Sequence, residues 1–209
     1  MVVLPTSLND TLTKLQIAKG NEKSYSYQTA HLKTFFQNIL FLRIAEYFEA
    51  GIVKNKDGTF TARMTSHPAF YPAVFYKEKI YVFRESDVEA NTEIFNLFLK
   101  EANLRIESEK EAIELANLYL SITRGYFENK GKLILSSVED VPPSFRNGKK
   151  SEMNALREIV AAPKCTRVGD NYEVELYTWE IFRGEVSRWT FKIQSDAHIE
   201  VQSEIIGKL

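Results

Sequence analysis

Cysteine is almost missing from this chain, with one, Cys165, in 209 residues. A single thiol forms no internal disulfide and builds no multi-cysteine metal site. It fits a reducing compartment better than an oxidising one. Histidine is nearly as scarce. His31, His67 and His198 are scattered, without the H-x-H, H-x-x-x-H or H-E-x-x-H spacing that seats a metal ion. No metal and no cofactor are expected. A charge excess is missing too, since 27 Lys and Arg face 28 Asp and Glu. That balance leaves no electrostatic footprint for nucleic acid or for an anionic membrane surface. No apolar run approaches the ~18 residues that cross a bilayer. The opening "MVVLPTSLNDTLTKLQ" has no basic segment followed by a long apolar one, so it does not read as a signal peptide. A cytoplasmic protein is expected. Also absent are a G-x-G-x-x-G loop, a Walker A loop and a G-x-S-x-G elbow, and with them the commonest nucleotide-binding and hydrolase signatures.

What remains is the composition of a globular protein: 44% apolar, 12% aromatic and 26% charged residues. A chain this long buries roughly 70% of its unfolded surface, ample for a core without staples. Residues 1–24 read as a partly ordered N-terminal segment, and residues 25–209 as a single α+β domain. Within it a long N-terminal helix is expected from Tyr27 to Ala50, with Gly51 at its C-terminal cap. Asp57-Gly58 marks a turn before a strand, and the segment around Pro68 and Pro72 leads into a hairpin turning at Lys77-Glu78. Ser86 with Glu89, and Ser108 with Glu111, match the S-x-x-E capping box. They start two helices, to about Leu104 and to Arg124, that are joined closely enough to form an antiparallel hairpin. "KLILSS" is a strand, the Pro142-Pro143 region a loop, and Ser151 the cap of a short helix. From Cys165 onward the chain reads as sheet. This order gives α+β: a long helix and a helical hairpin packed on an antiparallel sheet. A long helix against a curved sheet resembles the cystatin-like and nuclear-transport-factor-like element order over about half the chain, without a motif.

The last forty or so residues are the most informative. With Arg183-Gly184 as a two-residue turn, Val174 opposes Ile193, Leu176 opposes Phe191 and Thr178 opposes Trp189 on one face. The other face holds Glu175 with Lys192, Tyr177 with Thr190, Trp179 with Arg188 and Ile181 with Val186. A loop at Ser195 to Ala197 then sets Ile199 against Ile193, Val201 against Phe191, Glu200 against Lys192 and Glu204 against Arg188. The expectation is a three-stranded meander over 172–182, 185–194 and 198–206. Trp189 belongs to the face that helices cover. Trp179 sits on the reverse with Tyr177, Ile181, Val186 and Arg188. Three fates are open for that patch: cover by a helix or the N-terminal segment, an exposed stack of Trp179 on Arg188, or a contact surface.

Arg43 and Glu46 lie within the apolar stripe of the expected long helix, three residues apart. They are either a structural ion pair or the lining of a helix–sheet pocket in which Arg43 meets an anionic ligand. Cys165 reads as a core filler, and Glu139-Asp140 as solvated carboxylates. No catalytic constellation emerges. The leading expectation is a non-enzymatic domain that binds another protein or its own copy as a homodimer, using the Trp179 patch. The alternative is a small-molecule-binding protein or modest enzyme with a pocket near Arg43 and Glu46.

Overall fold

A computed structural model of the chain describes residues 18–19, 32, 35, 39–46, 49–54, 60–64, 69–77, 79–83, 87–124 and 132–209. The fold is α+β, and every strand pairing within it is antiparallel. One sheet holds β1 (Ala18–Lys19), β2 (Leu40–Glu46), β5 (Ala69–Tyr76) and β6 (Lys79–Val82), in that spatial order. A separate ribbon pairs β3 (Glu49–Lys54) with β4 (Phe60–Met64). The C-terminal sheet runs β11 (Ile199–Lys208), β10 (Glu185–Ile193), β9 (Asn171–Glu180), β7 (Lys132–Leu135), with β8 (Lys164–Val168) also on β9.

The helix expected over 27–50 is corrected from Leu40 onward, while most of 27–38 lies outside the described residues. Leu32 and Phe35 are helical, but the chain from Leu40 to Glu46 and from Glu49 to Lys54 is strand. "LFLRIAE" is a short apolar run, which periodicity alone does not assign. Its pairing with Ala69–Phe75, far along the chain, decides for strand. The turn at Asp57-Gly58 and the boundary at residue 24 lie outside the described residues. The hairpin around Lys77 is present, with Tyr76 opposite Lys79 and Lys77 at a φ of 44°.

The two expected helices are present as α1 (Val88–Ala102) and α2 (Glu109–Arg124). Asp87 caps α1, its carboxylate accepting the Ala90 N–H at 2.9 Å. The helix ends at Asn103, whose left-handed φ of 52° returns its N–H to the carbonyls of Leu99 and Lys100. At α2, Ser108 Oγ accepts the Glu111 N–H at 3.3 Å, and the Glu111 carboxylate accepts the Glu107 N–H at 2.7 Å. This is a capping box displaced by one residue at its second bond.

The hairpin α1/α2 is sandwiched between the two larger sheets. Phe98 meets Tyr81 of β6 at 5.4 Å between ring centroids, Phe95 meets Tyr119 at 5.3 Å, and Tyr119 meets Phe191 of β10 at 5.6 Å. These rings form one continuous core from sheet to sheet. Each fully buried large side chain contributes about 1.5–3 kcal/mol. A helical pair between two sheets is also not the one-helix, one-sheet arrangement that the element order resembled.

The meander is present over all three strands. Its second hairpin has the expected register, with Ile199 opposite Ile193 and Glu204 opposite Arg188. The first is corrected by two residues: Val174 opposes Phe191, Leu176 opposes Trp189 and Trp179 opposes Val186. The turn spans four residues, Ile181 to Gly184, rather than two. A shift of two keeps every side chain on its face. Trp189 accordingly faces the helices, where its Nε1 donates to Thr178 Oγ1 at 2.9 Å and the Arg124 guanidinium lies 5.0 Å from its ring.

Candidate functional site

Helical spacing brought Arg43 and Glu46 together, and the strand removes that reason for pairing them. Both lie on β2, opposite Pro72 and Ala69 of β5. Neighbours three apart on a helix do not stay neighbours on a pleated strand. The pocket expected between a long helix and the sheet loses its helical wall at these two residues, which are strand.

The Trp179 end of the meander's reverse face is closed by the chain itself. After β7 come a 3-10 turn (Val138–Asp140), a single helical turn α3 (Pro143–Arg146) and α4 (Lys150–Arg157). The turn is tied by Asp140, whose carboxylate accepts the N–H groups of Ser136 and Ser137 at 2.6 and 2.9 Å. Glu139 takes the Arg157 Nε at 2.6 Å, and that contact holds its carboxyl below the usual range. The carboxylate pair Glu139-Asp140 is thus structural. Met153 and Leu156 of α4, with Val138, Val141 and Leu209, cover Tyr177, Trp179 and Val186. Trp179 is 1% exposed, with Phe145 at 5.1 Å from its ring. The Trp179–Arg188 stack is also absent: Arg188 opposes Tyr177 and bonds Glu204. Of the patch expected to be an interface, only Ile181 and Arg188 stay partly exposed. Apolar residues at 153, 156 and 160, spaced to share one helical face, were the available signal for this cover.

Cys165 is half-buried on β8, and burial, aided by the nearby Glu109, pushes its thiol up to about 11. A protonated thiol is a poor nucleophile. No cluster of His, Cys, Asp or Glu among the described residues is arranged to hold a metal ion. No helix among them is long and apolar enough to cross a membrane.

Two surfaces remain, and Asn96 of α1 lines the first of them. Asn96 spans 103 positions of sequence to reach Ile199, the first residue of β11. Its Nδ2 donates to the Ile199 carbonyl at 2.8 Å, and its Oδ1 accepts the Ile199 N–H at 2.8 Å. A side-chain amide here takes the place of a neighbouring strand. Beside it opens a cleft of about 640 Å³, between the end of α1 and the β10–β11 turn. Glu93, Lys100, Arg105, Asp196 and His198 line it together with Leu97 and Leu104.

The Asn96 contact also fixes which way β11 faces. In an antiparallel ladder the residues of one strand alternate between bonding their neighbour and pointing away. Gln194 donates to the His198 carbonyl at 2.9 Å, so 194 and 198 are a bonded pair, while Ile199 points outward to Asn96. Val201, Ser203 and Ile205 then also direct their N–H and C=O groups away from β10, at the sheet edge. A second cleft of about 620 Å³ is lined by Val88 of α1, Arg188 and Thr190 of β10, and Val201, Gln202, Ser203 and Glu204 of β11. Among the described residues, no backbone hydrogen bond reaches these outward groups. Ile205, at 57% exposure, stands at the end of this stretch.

Comparison with protein-family models, with curated proteins and with solved structures finds no match for this chain.

Proposed function

We propose that this chain is a non-enzymatic domain that works by joining another polypeptide, a different protein or its own copy, at the outer edge of β11. The observation that carries the reading is the run of outward backbone groups at Val201, Ser203 and Ile205, with an open cleft beside them. An unpaired edge is a ready template for strand addition, in which main-chain hydrogen bonds supply affinity and alternate side chains supply specificity. The Trp179 patch has no part in it, because Tyr177, Trp179 and Val186 are covered.

Amide exchange in dilute protein tests the reading. The N–H groups of Gln202 and Glu204 bond to β10 and exchange slowly; those of Val201, Ser203 and Ile205 exchange fast. Slow exchange at all five positions in dilute solution means that the chain closes its own edge, and overturns the reading.

The alternative, a small-molecule-binding protein, attaches to the cleft at Lys100, Arg105 and His198 rather than to Arg43 and Glu46. Its volume of about 640 Å³ falls within the range of ligand sites. A small anion that raises the melting temperature of the wild type but not of Arg105→Ala supports it. A screen of such compounds without any thermal shift counts against it.

A further inference from the structure

We infer that the occupant of the β11 edge is a second copy of the chain, paired antiparallel to the first across a two-fold axis at Ser203. This rests on the reading of β11 as a binding edge and names the partner. The open stretch has a definite length. Asn96 occupies Ile199 at one end. At the other, the β10–β11 register shifts between Val186 and Ser187, leaving Ile206 as an extra residue that bends the strand. What lies between, Val201 to Ile205, is centred on Ser203. A two-fold axis there lays this stretch onto itself, so every open edge group meets another.

The side chains agree with this register. Ser203 faces the partner's Ser203, and Val201 faces the partner's Ile205. These are bonded pairs, each exchanging two hydrogen bonds. Val201, Ser203 and Ile205 share a face, so two apolar pairs flank the axis and the exposed Ile205 is covered. On the other face Gln202 meets the partner's Glu204, an amide donor against a carboxylate. Glu204 is already held by Arg188 of its own sheet. Sliding by one bonded pair fails in either direction. In one, Glu204 faces the partner's Glu204. In the other, Glu204 faces the partner's Glu200, and Ile205 runs into the partner's Ile199, which its own Asn96 already occupies. Opposed like charges are destabilising in a sheet. The bend at Ile206 also carries each strand aside before it reaches the other copy's Asn96. The product is a continuous antiparallel sheet running through both copies, with an isologous interface.

The test uses the full-length chain and sedimentation velocity over a dilution series. Gln202 is exposed, so its substitution leaves the fold intact. Gln202→Lys, facing Glu204 of the partner, tightens the dimer several-fold; Gln202→Glu weakens it about tenfold, because the contact occurs twice. In a Cys165→Ala background, Ser203→Cys forms a disulfide-linked dimer under mild oxidation. The ~5.5 Å between Cα atoms of a bonded pair falls within disulfide range. Equal effects of Lys and Glu at 202, or no crosslink at 203, overturn this pairing. A chain that stays monomeric while Val201, Ser203 and Ile205 exchange fast overturns self-pairing and leaves the edge reading standing. Slow exchange of those amides in a dilute monomer overturns both.

Discussion

Replacing Asn96 probes the orientation of β11 through a single side chain. Asn96→Ala removes both hydrogen bonds to Ile199. Each contributes about 1 kcal/mol net, so the pair contributes about 2 kcal/mol. Alanine is the better helix former by about 0.5 kcal/mol, which leaves a net loss near 1.5 kcal/mol. Asn96→Leu is expected to be worse, although leucine is apolar and the site is half-buried. Leucine fills the space and keeps water from the Ile199 N–H and C=O, and each stranded group costs about 1–3 kcal/mol. The total for leucine is therefore about 3 kcal/mol. Urea denaturation reads both values, and amide exchange at Ile199 gives a second measure that quickens in the alanine variant. A leucine variant as stable as the wild type, or an Ile199 amide whose exchange stays slow in Asn96→Ala, refutes the outward orientation of Ile199 and of every residue placed from it.

The two tryptophans are expected to differ in cost. Trp189→Phe breaks the bond to buried Thr178 and strands its hydroxyl, whereas the buried Trp179 Nε1 has no acceptor among the described residues. In chemical denaturation Trp189→Phe costs about 1 kcal/mol more than Trp179→Phe; equal costs contradict the assignment. Gly184 sits at a φ of +63°, and a Cβ there lies 2.2 Å from the Leu209 carbonyl oxygen. Gly184→Ala loses about 3 kcal/mol, from left-handed strain of about 1–2 kcal/mol plus displacement of Leu209; a loss below 1 kcal/mol shows that Leu209 is not held there. The Cys165 thiol, raised to about 11 from an ordinary 9.0, reacts slowly with a thiol reagent at pH 8 until the protein is unfolded. The folded state holds this proton more tightly, so its contribution to stability is complete below pH 9 and is lost as pH rises through about 11. Rapid labelling of the native protein at pH 8 rules this out.

Strand alternation carries most of what can be read from the sequence of the meander. Polar and apolar residues separate at Val174, Leu176, Trp189, Phe191, Ile199 and Val201, so the faces and the second hairpin follow from pattern alone. The first hairpin's partners do not, because a glycine serves as well at the end of a four-residue turn as in a two-residue one. Asp87, beside the expected cap at Ser86, takes the helix start by the same chemistry. The strand at Leu40–Glu46 was hidden because a short apolar run satisfies either period, and its partner strand lies beyond Ala69. The cover over Trp179 comes from a segment whose Pro142-Pro143 signals loop; only Met153, Leu156 and Val160 hint at an apolar face. Asn96 gives no local sign at all. A polar residue on the flank of an amphipathic helix is ordinary, and its role exists only once the fold brings Ile199 to it.

Sedimentation equilibrium of the wild type and of Ser203→Pro, side by side, bears most directly on the β11 edge. The Ser203 N–H points away from β10, so proline there spares the ladder within the sheet and blocks only an added strand. The wild type should approach twice the chain mass as concentration rises. Ser203→Pro should remain at the monomer mass with a urea midpoint close to that of the wild type. A wild type that stays monomeric throughout, or a proline variant that associates equally well, contradicts a dimer built on this edge.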